Sequence, residues 1–223
     1  MFNNEQAAYL ERLLSPLGEA RAKNASGILS EKFDDLNYLL HVDSYVVKEL
    51  VNPDNKTSEY LRLIAAMTSR RITDKFKNGK KYLQNELTEY IVGLFFGLTV
   101  ETTYIIMLDE NDKLISSEYL GDGTVNSSGF LPRKLLDVAL RKNAKRVILA
   151  HNHPCGNAAA SNNDIVVTDI AKTVLRDAGI ELVAHYIVSG FDIEDCIDAI
   201  KPSVPNPSEH FGNSRNGDLK KFD

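Results

Sequence analysis

Read for the spacing of its apolar residues, the chain divides into two rhythms. From Glu5 to Leu87 the period is helical: Tyr9, Leu10, Leu13 and Leu14 share one face, Phe33, Leu36, Leu39 and Leu40 a second, and Tyr60, Leu61, Ile64 and Ala65 a third. Ser15-Pro16, Asn24 to Gly27 and Asn52-Pro53-Asp54 mark loops between these faces. A further helix over Glu86–Leu98, buried through Leu87, Ile91, Leu94 and Phe95 and ending near Gly97, leads into the second rhythm. There, Thr102–Leu108 and Lys113–Leu120 read as strands joined by the polar turn Asp109-Glu110-Asn111-Asp112, and Gly121-Asp122-Gly123-Thr124 reads as a loop. Pro132-Arg133 opens a helix whose core face is Leu135, Leu136, Ala139 and Leu140, with Asn143 at its end. The apolar run Arg146 to Ala150 is a strand, Ile165–Ala178 a helix closed by Gly179, and Glu181–Val188 a returning strand.

These elements predict an α+β chain: a helical domain over residues 1–85, then, over 86–200, an α/β sandwich whose mixed sheet is flanked by helices. The remainder, 201–223, sets Pro202, Pro205, Pro207, Gly212 and Gly217 among Asn and Ser without hydrophobic periodicity and reads as a disordered tail.

Composition narrows the class. Hydrophobic residues make up 43% and charged residues 26% of the 223, the balance of a soluble globular protein able to bury a proper core. The longest nearly apolar run, Tyr90 to Val100, is too short to span a bilayer, and the N-terminus lacks a secretion signal, so a cytoplasmic protein with no membrane role is expected. Cys155 and Cys196 are too few for a disulfide framework. A net charge of −5 gives no global field toward nucleic acid. Any DNA contact would need a local patch, and the stretch from Arg70 to Lys81, with Arg71, Lys75, Lys77 and Lys80 between, is the candidate, although such runs are more often solvated helix faces.

The chemistry concentrates after the third strand, in His151-Asn152-His153-Pro154. Side chains two apart at the end of a strand project to the same side, so the two imidazoles converge. Pro154 limits further pairing, Gly156 permits an unusual backbone angle, and Asn157 to Ala160 turn the chain so that Asp164 returns to the histidines. Two His and one carboxylate, with a further position left for water, is the ligand set of a catalytic zinc site rather than a structural one. Ser161 and Asp164 also form an ordinary helix start, hydroxyl cap and first-turn acid, and both readings hold together.

His151-x-His153-Pro154 followed by Ser161-x-x-Asp164 resembles the signature of the JAMM (MPN-plus) metalloproteases, and His-Asn-His-Pro-x-Gly resembles their RadC branch. The likeness runs from about Glu101 to Gly190, and more faintly over the helical part. It implies a JAMM/MPN-like, deaminase-like architecture, a Zn2+ held by His151, His153 and Asp164, and Ser161 stabilising an oxyanion. It also implies an upstream catalytic glutamate, and Glu101, ahead of a short strand ending in Leu108-Asp109, matches that context; an exposed strand-start glutamate is the plainer reading. Glu89 and Glu118 lack the context. RadC-like proteins carry a helix-hairpin-helix region in their N-terminal part, but VNPDNKTSEY here lacks its glycines, which makes that feature degenerate and weakens a DNA role. The family often has Asp before the His at position 185, where this chain has Ala184, so His185 is either near the metal or a buried structural histidine.

The implied activity is zinc-dependent hydrolysis of a peptide or isopeptide bond in a peptide or protein substrate, with Glu101 as general base and acid on zinc-bound water. The alternative is a non-catalytic DNA-associated adaptor, linked to DNA repair by family label, with a structural metal. A zinc deaminase would need a second thiol after Pro154-Cys155, where Gly156, Asn157 and Ala158 stand. The contiguous letters His-Asn-His are not the nuclease motif of that name, and Cys155 lacks the orienting group of a nucleophile.

Overall fold

The computed structural model describes residues 2–51, 55–123, 130–154 and 157–197. Its first part is helical, as expected. Asn3 caps α1 (Asn4–Leu14) in a reciprocal capping box with Gln6, and Ser15–Leu17 forms a single 3-10 turn before α2 (Glu19–Lys32). Asp35 caps α3 (Leu36–His41) by accepting from the Tyr38 N–H at 2.7 Å; α4 (Ser44–Val51) and α5 (Lys56–Thr73) complete the bundle. Leu10, Leu14, Leu29, Leu39, Val47 and Leu61 close its core.

The loop expected at Asn24 to Gly27 is not there. Those residues lie in the middle of α2, because Ala22, Ala25, Ser26 and Leu29 form a buried stripe at helical spacing. Burying that stripe outweighs the weak helix preference of Asn, Ser and Gly. The expected loop at Asn52-Pro53-Asp54 lies outside the described residues, as do Cys155, Gly156 and the expected tail.

The second part is a mixed sheet in the order β2-β1-β3-β4-β5. Its strands are β1 (Thr102–Leu108), β2 (Leu114–Asp122), β3 (Arg146–Asn152), β4 (Glu181–Ser189) and β5 (Asp192–Asp195), with only β3 and β4 parallel. Alternation divides the side chains between two cores. Ile105, Met107, Val147, Leu149 and Leu182 pack under α7 (Phe130–Arg141) and α8 (Asn162–Asp177). Ile106, Leu108, Ile148, Ala184, Tyr186 and Val188 pack against Tyr90, Ile91 and Phe95 of α6 (Gln84–Phe95). Phe76 and Tyr82, before the expected boundary at 85, also pack on this second core, and Lys81 bridges to Lys113.

Local details follow the sequence. Asp109 anchors the β1–β2 turn, its carboxylate accepting from the N–H groups of Asn111 and Lys113 at 2.8 and 2.9 Å. Asn143 ends α7 at a φ of 52°, and Gly179 ends α8 at 74°. Two expectations need correction. Gly121 and Asp122 extend β2, opposite Thr103 and Thr102, rather than forming a loop, because Asp122 accepts from the Thr102 hydroxyl at 2.9 Å. In α7, Leu140 is exposed and Val138 takes its place in the core. No helix among the described residues is long and apolar enough to cross a membrane.

Candidate metal centre

His151 is fully buried at the end of β3, on the face covered by α8, and His153 follows with its backbone N–H donating to the Val188 carbonyl at 2.8 Å. Asp164 enters from the first turn of α8. Ser161 caps that helix, and in the reciprocal capping box Asp164 Oδ2 accepts from the Ser161 N–H at 2.8 Å and from its hydroxyl at 2.6 Å. The cap therefore aims the carboxylate. His151 Nε2 lies 3.1 Å from His153 Nε2 and 3.2 Å from Asp164 Oδ1, and His153 Nε2 lies 3.7 Å from Asp164 Oδ2.

These three residues are the cluster among the described residues whose donor atoms could share one ion. Ligands at about 2.0–2.1 Å around a tetrahedral zinc stand roughly 3.3 Å from one another, which the observed separations bracket. The donor chemistry fits too. His153 Nδ1 is 3.0 Å from the Asn157 carbonyl, which can only accept, so Nδ1 carries the proton and Nε2 faces the cluster as a lone pair. Burial opposes the charge on Asp164, but the neighbouring His151 imidazole and the hydrogen bonds from Ser161 outweigh it and hold its carboxyl well below the usual carboxylate range. Two electron-pair donors thus face His151 Nε2.

Glu101 precedes β1. Thr103 pairs with His151, and the Gly123 N–H donates to the Glu101 carbonyl at 2.7 Å, so the ladder continues to this residue. Strand alternation assigns Glu101 to the face of Thr103 and Ile105, the face that carries His151. Asn152, between the two histidines, is buried and holds this segment from both sides. Its Oδ1 accepts from the Thr102 N–H at 2.8 Å, and its Nδ2 donates to the Val100 carbonyl at 3.1 Å. The other acids considered are engaged elsewhere, Glu89 with Lys75 and Glu118 with Lys142, each at 2.7 Å.

His185 is both buried and close to the cluster, so the two readings of it coincide. Its Nε2 stands 2.9 Å from His151 Nδ1 and its Nδ1 2.6 Å from the Thr168 hydroxyl. Burial, reinforced by the neighbouring His151, pushes its pKa down to about 3, so the ring is uncharged at neutral pH. Thr168 and Asn152 were not singled out by sequence. Their only signal is position: Thr168 one turn after Asp164 on α8, and Asn152 inside the histidine tripeptide. Within the basic stretch, Arg70 pairs with Asp74, Lys75 with Glu89 and Lys81 with Asp112, which reduces the charge free to meet phosphate.

A mixed sheet with helices on both faces, carrying at a strand end a His–His–Asp cluster that could hold one ion, is compatible with a JAB-like domain. The model of the RadC-like JAB domain matches residues 77–194, more than half of the chain, and the protein belongs to that family. Similar proteins include a UPF0758 protein of Chromobacterium violaceum, 31% identical over 165 residues and 73% of each chain. Another, of Finegoldia magna, is 41% identical over 93 residues and 42% of each chain. A third, of Pseudoalteromonas translucida, is 36% identical over 113 residues, 51% of this chain and 49% of the relative. The chain spans 49% to 60% of the length of the first relatives it matches.

Proposed function

We propose that the protein is a zinc-dependent hydrolase of peptide or isopeptide bonds. The observation that carries this reading is the convergence of His151 Nε2, His153 Nε2 and the Asp164 carboxylate at 3.1–3.7 Å, three protein donors where a closed structural site would have four. When bound there, zinc supplies a Lewis acid that polarises a carbonyl and makes water a competent nucleophile near neutral pH. The remaining work belongs to the chain. Glu101, outside the ligand cluster and on the face of His151, takes a proton from the attacking water and returns it to the leaving amine. Asn152 fixes the backbone on either side of Glu101, so the base is held to the ladder rather than to a free loop. Ser161 has two duties. Its hydroxyl donates to Asp164, and offering that proton to a developing oxyanion requires a rotation that gives up one of the bonds aiming the ligand.

The test compares wild type with Glu101→Gln, both loaded with zinc, on a library of fluorogenic peptides and lysine-linked isopeptides. Wild type should cleave and stop on chelation; Glu101→Gln should keep its zinc and lose about 10²–10⁴-fold in rate. Zinc-loaded wild type that cleaves nothing across the library, or a fully active Glu101→Gln, overturns the proposal.

A further inference from the structure

The geometry points to His185 and Thr168 as positioning residues that fix the ring tautomer of His151, leaving its Nε2 as a lone pair directed at the metal. This rests on the zinc reading above and follows from counting hydrogens. The Thr168 hydroxyl has one proton and stands 2.6 Å from the Asp164 backbone carbonyl, which can only accept. Two oxygens that close without a proton between them would repel, so the hydroxyl donates to the carbonyl. Its contact with His185 Nδ1 at 2.6 Å must then run the other way, with the imidazole N–H donating to Thr168 Oγ1. His185 is fully buried, and its ring nitrogens meet a hydroxyl and another imidazole rather than a carboxylate, so no direct partner holds a second proton against the cost of burying the charge. Its Nε2 is therefore an acceptor, and at 2.9 Å it receives the Nδ1–H of His151. The opposite nitrogen of His151 is left bare, facing His153 and Asp164.

The reverse chain would place a proton on His151 Nε2 and close the site to a cation. The polarity is thus set at its far end, by an α8 backbone carbonyl belonging to the same Asp164 that supplies a ligand. One helix turn presents the carboxylate, and the next presents the hydroxyl that orients the facing histidine. The buried Cys196 sulfur, 3.3 Å from Thr168 Oγ1, is a weaker and more distant acceptor than the Asp164 carbonyl and does not take the hydroxyl's one proton; its own S–H can donate to Oγ1.

Zinc affinity, measured by competition with a chromophoric chelator, and the cobalt(II) ligand-field spectrum would be recorded for wild type, His185→Leu, His185→Gln, Thr168→Val and Thr168→Ser. Thermal melts of the metal-free proteins would control for folding. His185→Leu and Thr168→Val should lose about 10–100-fold in affinity. His185→Gln, whose amide oxygen can still accept from His151, and Thr168→Ser should stay within a few-fold of wild type with an unchanged cobalt spectrum. Long-range ¹H–¹⁵N imidazole spectra of metal-free wild type, which need no variant to fold, should show His185 protonated at Nδ1. Protonation of His185 at Nε2, or wild-type affinity in both apolar variants, overturns the relay while leaving the zinc reading intact. Failure of wild type to bind zinc or cobalt overturns both.

Discussion

Substituting Gly97 by alanine tests how the helical part is joined to the sheet that carries the site. Gly97 lies just after α6 at a φ of +79°, and a Cβ built there would sit 2.5 Å from Ala65 Cβ on α5. Carbon atoms in contact prefer about 3.5–4.0 Å, so the two backbones would have to part by about 1 Å. Overpacking of that kind costs about 1–3 kcal/mol, and a left-handed backbone angle on an L residue adds about 1–2 kcal/mol. Gly97→Ala should therefore lose roughly 2–5 kcal/mol in urea denaturation followed by circular dichroism. Only the steric part depends on residue 65. Ala65→Gly, itself costing about 1 kcal/mol in a helix interior, should restore about 1–3 kcal/mol in the double variant. A loss below about 0.5 kcal/mol in Gly97→Ala, or effects additive within about 0.5 kcal/mol, would refute the reasoning. The seam matters for the site because it continues through His41 and Phe96, edge to face at 4.8 Å, and on to Phe191 at 5.4 Å. Pro154, next to His153, lines a cleft of about 320 Å³ together with His41 and Phe191.

Two further predictions concern side chains around the donors. Asn152→Ala removes two buried hydrogen bonds and leaves the Thr102 N–H and Val100 carbonyl without that partner, so it should destabilise the chain by about 2 kcal/mol and speed amide exchange at Thr102; unchanged exchange there would show that Asn152 does not hold the segment around Glu101. Ser161→Ala should cost about 1 kcal/mol through the lost cap of α8 and weaken zinc about tenfold by freeing Asp164; unchanged melting and unchanged zinc affinity would contradict both roles of the hydroxyl.

The parts of the fold read correctly from sequence are those where one local signal suffices. β1, β3 and β4 are apolar runs bounded by polar turns, and α8 is announced by Ser161 at one end and Gly179 at the other. The proximity of the three candidate ligands is legible because they fall within the 14 positions from His151 to Asp164, where strand alternation and a helix cap dictate geometry. What escaped depends on distant neighbours. The Asn24 to Gly27 segment looks like a loop until the core behind Ala25 and Leu29 is in place. β5 has only Ile193 among acids and exists because it pairs with β4 at the sheet edge. The contact of His185 with His151 joins residues 34 positions apart, through a parallel pairing that no local motif encodes.

In the proposed hydrolase a zinc ion sits between two imidazoles and a carboxylate that a helix cap holds in place. Zinc content after dialysis against trace zinc, measured by mass spectrometry on wild type, His153→Ala and Glu101→Gln, tests it most directly. Stoichiometric zinc is expected in wild type and in Glu101→Gln, and its loss in His153→Ala; stoichiometric zinc retained by His153→Ala would exclude this ligand set.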